Sequence, residues 1–290
     1  MLSMRKNYRF FLALALMTIW LLVLTSCSKL NFIYNRMDWL IPHFIDDYVE
    51  LSAPQEKILG QKVTEFIHWH CSEEIPQYID LVRQWRQLAD NGKLERAQYV
   101  AQRELVLARF HHLATKSADE MKPLVQGMNE QQLRQFIEKI KEENQQLKED
   151  FIDEDFDEIQ SKLESRLITR YERWVGSLTD EQLSWVRETS FKLIDFEKAR
   201  FQYRSNWLRL LEQVWEKDKN MDSVADFLYY TATDRERFWS NEYRLKYFDR
   251  SKENELLTLK IMNSLSNKQL KKLKQELADL EAQLVKMSCH

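Results

Sequence analysis

Apolar residues between positions 179 and 217 recur at three-, four- and seven-residue steps, with Leu183, Val186, Phe191, Ile194, Phe201 and Leu208 forming one stripe. That is the signature of an amphipathic helix. Comparable patterning predicts short helices over 31–40 and 43–50, divided at Pro42, and longer ones over 53–71, 74–90, 94–120 and 129–175. In the second half it predicts helices over 179–217, 222–249, 252–263 and 266–287. The stretch 138–170 is more polar, and a bend or a solvent-facing segment is expected at the acidic run Glu149–Glu158.

The chain has only 4 Gly and 4 Pro among 290 residues, too few for the turns of a sandwich or barrel. A glycine-built phosphate cradle is excluded for the same reason. With 44% hydrophobic and 12% aromatic residues the chain can bury a core and is not disordered. The expected fold class is all-α, an elongated helical bundle.

Four helix starts share one grammar. Leu51-Ser52-Ala53-Pro54-Gln55, Met128-Asn129-Glu130-Gln131-Gln132, Leu178-Thr179-Asp180-Glu181-Gln182 and Leu265-Ser266-Asn267-Lys268-Gln269 each place an apolar residue before Ser, Thr or Asn, with Gln three positions on. This is a capping box, in which the cap oxygen accepts from the N3 backbone N–H and Gln reaches back to the cap N–H. Leu133, Leu183 and Leu270 add hydrophobic staples to the last three, and Gly127 and Gly176 stand where C-terminal caps belong. The caps of the first pair lie 77 residues apart and those of the second pair 87, and a shift of about 127 lays one pair on the other. That spacing is compatible with tandem related halves at 51–177 and 178–290, and equally with loosely similar amphipathic helices.

The N-terminus suggests a compartment. Arg5, Lys6 and Arg9 precede an apolar run from Phe10 to Leu24, and Leu24-Thr25-Ser26-Cys27 follows. A charged start, a short apolar stretch and small residues form an export signal, too short for a spanning helix. The last four residues match the bacterial lipobox, so residues 1–26 are expected to be a signal peptide and Cys27 the lipidated residue, with 27–50 as the juxtamembrane part. By resemblance to the sorting rules of Gram-negative bacterial lipoproteins, Ser28 at the following position implies the outer membrane, with the body in the periplasm. Removal of residues 1–26 leaves 40 Lys+Arg against 46 Asp+Glu, a net charge of −6 that argues against nucleic acid as partner. In an oxidising periplasm Cys71 and Cys289 could form a disulfide or remain as thiols.

Ligand-type residues crowd together only at His68-Trp69-His70-Cys71 with Glu73 and Glu74, where no metal-binding spacing is present and helix-end capping is the expected role. His111 and His112 are adjacent and face apart, and the acidic run lacks the glycine of a calcium loop. The aromatics, among them Trp207, Trp239, Tyr229, Tyr230, Tyr243 and Tyr247, are expected mainly in helix packing. Residues Arg235–Trp239 mix charge with rings in a way that suits holding a flexible polypeptide. No nucleophile–base pair is legible, so no enzyme and no cofactor is expected.

At the lipobox, and at Tyr34-Asn35-Arg36-Met37-Asp38-Trp39-Leu40, Asp46-Asp47-Tyr48 and Leu51…Gln55, the chain resembles a family of proteobacterial lipoproteins of unknown function. Leu178-Thr179-Asp180-Glu181-Gln182 also resembles the LTxxQ signature of the Spy/CpxP-like periplasmic chaperones, small helical proteins that dimerise into a cradle with two such motifs per subunit. Four boxes in one chain would imitate a fused dimer. The expected function is that of an outer-membrane-anchored lipoprotein whose helical body binds partner or unfolded polypeptide. The alternative is a structural or assembly lipoprotein serving one dedicated envelope partner.

Overall fold

The computed structural model describes residues 33–287. Helices follow one another without strands among the described residues: α1 (Met37–Asp46), α2 (Ala53–Trp69), a π-helical turn (His70–Glu74), α3 (Ile75–Asp90), α4 (Arg96–Gln126) and α5 (Glu130–Phe151). Then come α6 (Phe156–Val175), α7 (Asp180–Asp218), α8 (Met221–Thr233), α9 (Asn241–Asn263) and α10 (Asn267–Val285). The all-α bundle expected from composition is what forms.

Several boundaries differ from the periodicity, each for a local reason. Pro42 does not divide α1, which runs through it while Ile41 and Ile45 pack against the apolar cluster of α2 and α4. The helical path continues without interruption past residue 72. Pro76 has no N–H to donate, and the backbone widens into the π-turn just before it, with Ile75 N–H reaching His70 O. The expected 129–175 helix breaks at 152–155, where Lys148 binds Asp153 at 2.9 Å and Asp155 stands at the N-cap position of α6, with Asp157 and Glu158 in its first turn. The expected 222–249 helix breaks at 234–240 instead of continuing, because Ser240 starts α9 by accepting from Tyr243 N–H at 3.1 Å.

The four boxes form at the expected residues. Gln55, Gln132, Gln182 and Gln269 each accept through Oε1 from the backbone N–H of Ser52, Asn129, Thr179 and Ser266, at 2.9 to 3.0 Å. Asn129, Thr179 and Ser266 also accept from the N3 N–H through their side chains, whereas the Ser52 hydroxyl donates to Gln55 Oε1. Gly176 takes φ 76 at the end of α6, a conformation that disfavours any side chain.

The segments that follow the two pairs of boxed helix starts pack in corresponding ways and exchange parts. The unbroken rod from Ala53 to Asp90 (α2, π-turn, α3) has its counterpart in α7, which begins 127 positions later. The C-terminal half of the first rod packs on α10: Ile75, Val82 and Ala89 share a core cluster with Leu273, Leu277 and Leu284, and Arg83 and Arg86 both bind Glu281. The C-terminal half of α7 packs on α5, the counterpart of α10, where Leu208 and Leu211 meet Leu133 and Ile137 and Lys141 binds Glu212 at 3.2 Å. The start of α4 is tied to α9, with Arg96 and Arg103 on buried Glu255 at 2.5 and 2.9 Å. Its end packs on α8, with Lys122 on Asp226 at 2.6 Å. The largest core cluster therefore draws residues from both halves. No helix among the described residues is long and apolar enough to cross a membrane.

The box glutamines also hold the helix starts together in pairs. Gln132 Nε2 donates to Gln55 Oε1 at 2.7 Å and to Glu50 O at 2.8 Å, while Gln55 Nε2 donates to Gly127 O at 2.8 Å. In the second pair Gln269 Nε2 donates to Gln182 Oε1 at 2.7 Å and to Ser177 O at 3.0 Å, while Gln182 Nε2 donates to Ser264 Oγ at 3.0 Å. In all four cases the acceptor lies two residues before the partner's cap. Gln182 is 1% exposed and Gln269 4%, so each amide replaces its water with protein partners. Gln269→Ala would remove one partner of buried Gln182 and half of the α10 capping box, and it should cost about 1–3 kcal/mol. Chemical denaturation should show the double variant Gln182→Ala/Gln269→Ala to cost clearly less than the sum of the single changes.

Candidate functional site

Four helices leave a gap beside the first glutamine pair. Phe44 of α1, Met121 and Val125 of α4, Phe136 of α5 and Leu228 of α8 line a cavity of about 280 Å3, with Tyr48 at its edge. Its lining is apolar throughout, and Leu51 and Leu133, flanking the caps of the Gln55–Gln132 pair, form its floor. Phe44 is 61% exposed, so the cavity opens to solvent on the α1 side. The capping boxes thus place the start of α5 and the strand-like link before α2 against the cavity. They are not themselves a binding surface.

Tyr48 is held in place by chemistry on its rim. Its hydroxyl donates to Glu143, which also accepts from Arg204 at 2.9 Å, and Arg204 Nε donates to Asn144 at 2.6 Å. The hydrogen bond to Glu143, followed by burial, pushes the Tyr48 hydroxyl up to about 12. Burial would raise the Glu143 carboxyl, but the hydrogen bonds from Tyr48 and Arg204 outweigh it and hold the carboxyl below its ordinary value. The segment after α1 is thereby locked to α5 and α7.

The π-turn gathers the residues that crowd in sequence, and it is not a helix end. Glu74 is fully buried; its Oε1 pairs with His112 Nδ1 at 2.5 Å and with Arg109 at 3.6 Å, while Oε2 has no hydrogen-bond partner. The His112 that faces apart from His111 is thus a fastening between α4 and the π-turn. Burial, then the Glu74 charge, pushes the Tyr78 hydroxyl up to about 12. Tyr34 shares a hydrogen bond with His70 Nδ1 at 3.1 Å and donates to Ile67 O at 3.3 Å. Cys71 is buried and disulfide-bonded; Cys27 and Cys289 lie outside the described residues. Met287 packs in the same cluster as Ile75. Among the described residues no group of three or more His, Cys, Asp or Glu is placed to hold a metal ion.

In the span 235–239, Phe238 and Trp239 pack half-buried against the body, while Arg235, Glu236 and Arg237 are exposed. Arg235 lies over Trp239 and Tyr247 at 5.8 and 5.6 Å, Tyr203 stacks on Tyr243 at 4.5 Å, and Phe196 and Ala199 close the cluster beneath them. Tyr230, under Arg237 at 4.0 Å, and Phe248 keep faces toward solvent. Sequence reasoning did not find the apolar cavity, because its lining comes from four helices at unrelated positions. It also missed the box at Glu95, where Gln98 accepts from the cap N–H at 2.9 Å.

Burial, against the charge of Glu74, holds the His70 pKa below its ordinary value of 6.5, so the folded protein takes up this proton at lower pH than the unfolded chain. As pH falls below about 6.5 the unfolded chain binds a proton that the folded chain refuses, and the stability tied to neutral His70 is progressively lost. Thermal melts from pH 7 to pH 5 should therefore fall more steeply for the native chain than for His70→Gln.

No curated protein and no solved structure matches the chain significantly. A family profile does match, over residues 47–244, a span that reaches from the residue after α1 through the cavity-lining parts of α4, α5 and α8 to the start of α9. The chain accordingly belongs to DUF6279, a family of unknown function.

Proposed function

We propose that the protein is an outer-membrane-anchored periplasmic lipoprotein whose helical body binds apolar segments of polypeptide in a chaperone-like manner. The observation that carries the binding part is the open, wholly apolar cavity beside the first glutamine pair. Exposed apolar concavities of this kind mark sites for apolar ligands. Its two methionines and two phenylalanines suit varied apolar side chains, since thioethers and rings adapt their packing to the guest. The anchoring part rests on the charged start, the apolar run and Leu24-Thr25-Ser26-Cys27. Two or three acyl chains at Cys27 would meet the requirement for stable attachment. With Cys27 acylated, Cys289 remains as the partner of Cys71. The paired boxes support a likeness to the LTxxQ chaperones, because helix starts in pairs are what a fused cradle would need.

Metabolic labelling with a palmitate analogue should mark the native chain and leave Cys27→Ala unlabelled and unprocessed; an unmarked native chain overturns the anchor. The purified full chain in neutral detergent should suppress aggregation of a denatured client near stoichiometric ratio. Met121→Gln/Leu228→Gln should lose that activity while keeping its helical circular dichroism. Equal suppression by the variant, or none by the native chain, overturns the cavity as binding site. Crosslinking in cells that returns one stoichiometric protein would replace the chaperone reading with a dedicated envelope partner.

A further inference from the structure

On the face formed by α6, α7 and α9, arginines outnumber the carboxylates that pair with them. Arg166 and Arg200 both lie against the Phe151 ring, at 4.4 and 5.7 Å, and Arg250 lies 4.5 Å from the Phe196 ring. Glu197, 5% exposed, faces this group, its Oε2 lying 3.1 Å from Arg200 in an ion pair without a hydrogen bond. Arg204 is occupied by Glu143. Arg166, Arg170 and Arg250 make no ion pair among the described residues. Burial, together with the charges of Arg166, Arg204 and Arg250, pushes the Arg200 guanidinium down against the pull of Glu197. Burial likewise raises the Glu197 carboxyl against Arg200, Arg250 and Arg166.

Beside this cluster, Arg170, Arg250, Tyr99, Tyr247, Ser251 and Asn254 line a polar pocket of about 200 Å3. The two guanidiniums supply forked donors matched to a phosphate, and Tyr99, Tyr247 and Ser251 supply hydroxyl donors. Tyr247 already accepts from Arg235 at 3.1 Å, which leaves its own proton free for a ligand. Asn254 Nδ2 is used on Arg250 O at 2.8 Å, while its Oδ1 is buried with no partner and can accept a hydroxyl. The body as a whole is acidic, so this excess of positive charge is a local arrangement and not a general bias.

We propose that the pocket between α4, α6 and α9 binds a phosphate ester carrying a neighbouring hydroxyl, with Arg170 and Arg250 on the phosphate and Asn254 on the hydroxyl. Glycerol phosphate has this chemistry, both as a free metabolite and as a phospholipid headgroup.

The test uses the full chain in neutral detergent. Calorimetric titration with sn-glycerol 3-phosphate reads the free form, and tryptophan fluorescence in micelles doped with phosphatidylglycerol, against phosphatidylcholine-doped controls, reads the headgroup. Saturable binding tighter than about 1 mM in either arm is expected, and the arm that responds identifies the source. Arg170→Gln and Arg250→Gln should each weaken it at least about tenfold. Glu197→Gln, which removes the facing carboxylate, should tighten it, and Arg209→Gln should leave it unchanged. Arg170 is exposed and unpaired, so its variant should melt with the native chain, which separates lost binding from lost folding. No saturable binding in both arms, unaltered binding by both arginine variants, or weaker binding by Glu197→Gln overturns the proposal.

Discussion

The architecture depends on the meeting of helix N-termini. Each helix start leaves backbone N–H groups without intrahelical partners and carries a partial positive charge, so two starts brought together would repel and remain unsatisfied. A glutamine at N3 resolves both problems with one amide. Its oxygen takes the cap N–H, and its nitrogen, pointing outward, needs an acceptor that the neighbouring start provides. Once Gln55 meets Gln132 and Gln182 meets Gln269, the positions of α2 against α5 and of α7 against α10 are fixed. The exchange of rods between the halves is built on those two anchor points.

The remaining features follow from that frame. With α5 fixed at its start, Leu133 and Ile137 face the far half of α7 and Phe136 faces the apolar cavity. With α7 running unbroken for 39 residues, its middle carries Glu197, Arg200 and Arg204 past the end of α5 and onto α9. The apolar cavity and the arginine-rich pocket therefore lie on different parts of one continuous scaffold, one built from neutral methionines and rings, the other from guanidiniums over rings.

Fold class and helix starts were legible in the sequence because capping is local: a box spans four residues and its partner atoms lie within them. Boundaries set by composition were legible where acids cluster ahead of Phe156, and illegible at Asp234–Ser240, where neither Gly nor Pro marks the turn. The π-turn was hidden because Pro76 reads as a helix start whether the chain behind it ends or only widens. The spacing of 77 and 87 residues between caps was visible, but that the glutamines touch each other is a tertiary fact. The Glu74–His112 pair, the cavity and the arginine cluster are assembled from helices far apart in the chain, and periodicity gives each helix a face without naming its neighbour. His70 and Glu74 were noticed as a crowd of ligand types; their use as fastenings, with Tyr34 and His112, required the packing of α4.

The exchanged rods also constrain how the chain can mature. The apolar stripe of α3 is completed by α10, and Arg83 and Glu281, which join them, stand 198 residues apart. A polypeptide emerging from the ribosome N-terminus first exposes Ile75, Val82 and Ala89 long before Leu273 and Leu277 exist. For a helical protein this is an unusually non-local topology, and closing such loops is slow relative to forming the helices themselves. Synthesis must therefore reach α10 before the central core can close, and until then the nascent chain carries an uncovered apolar seam.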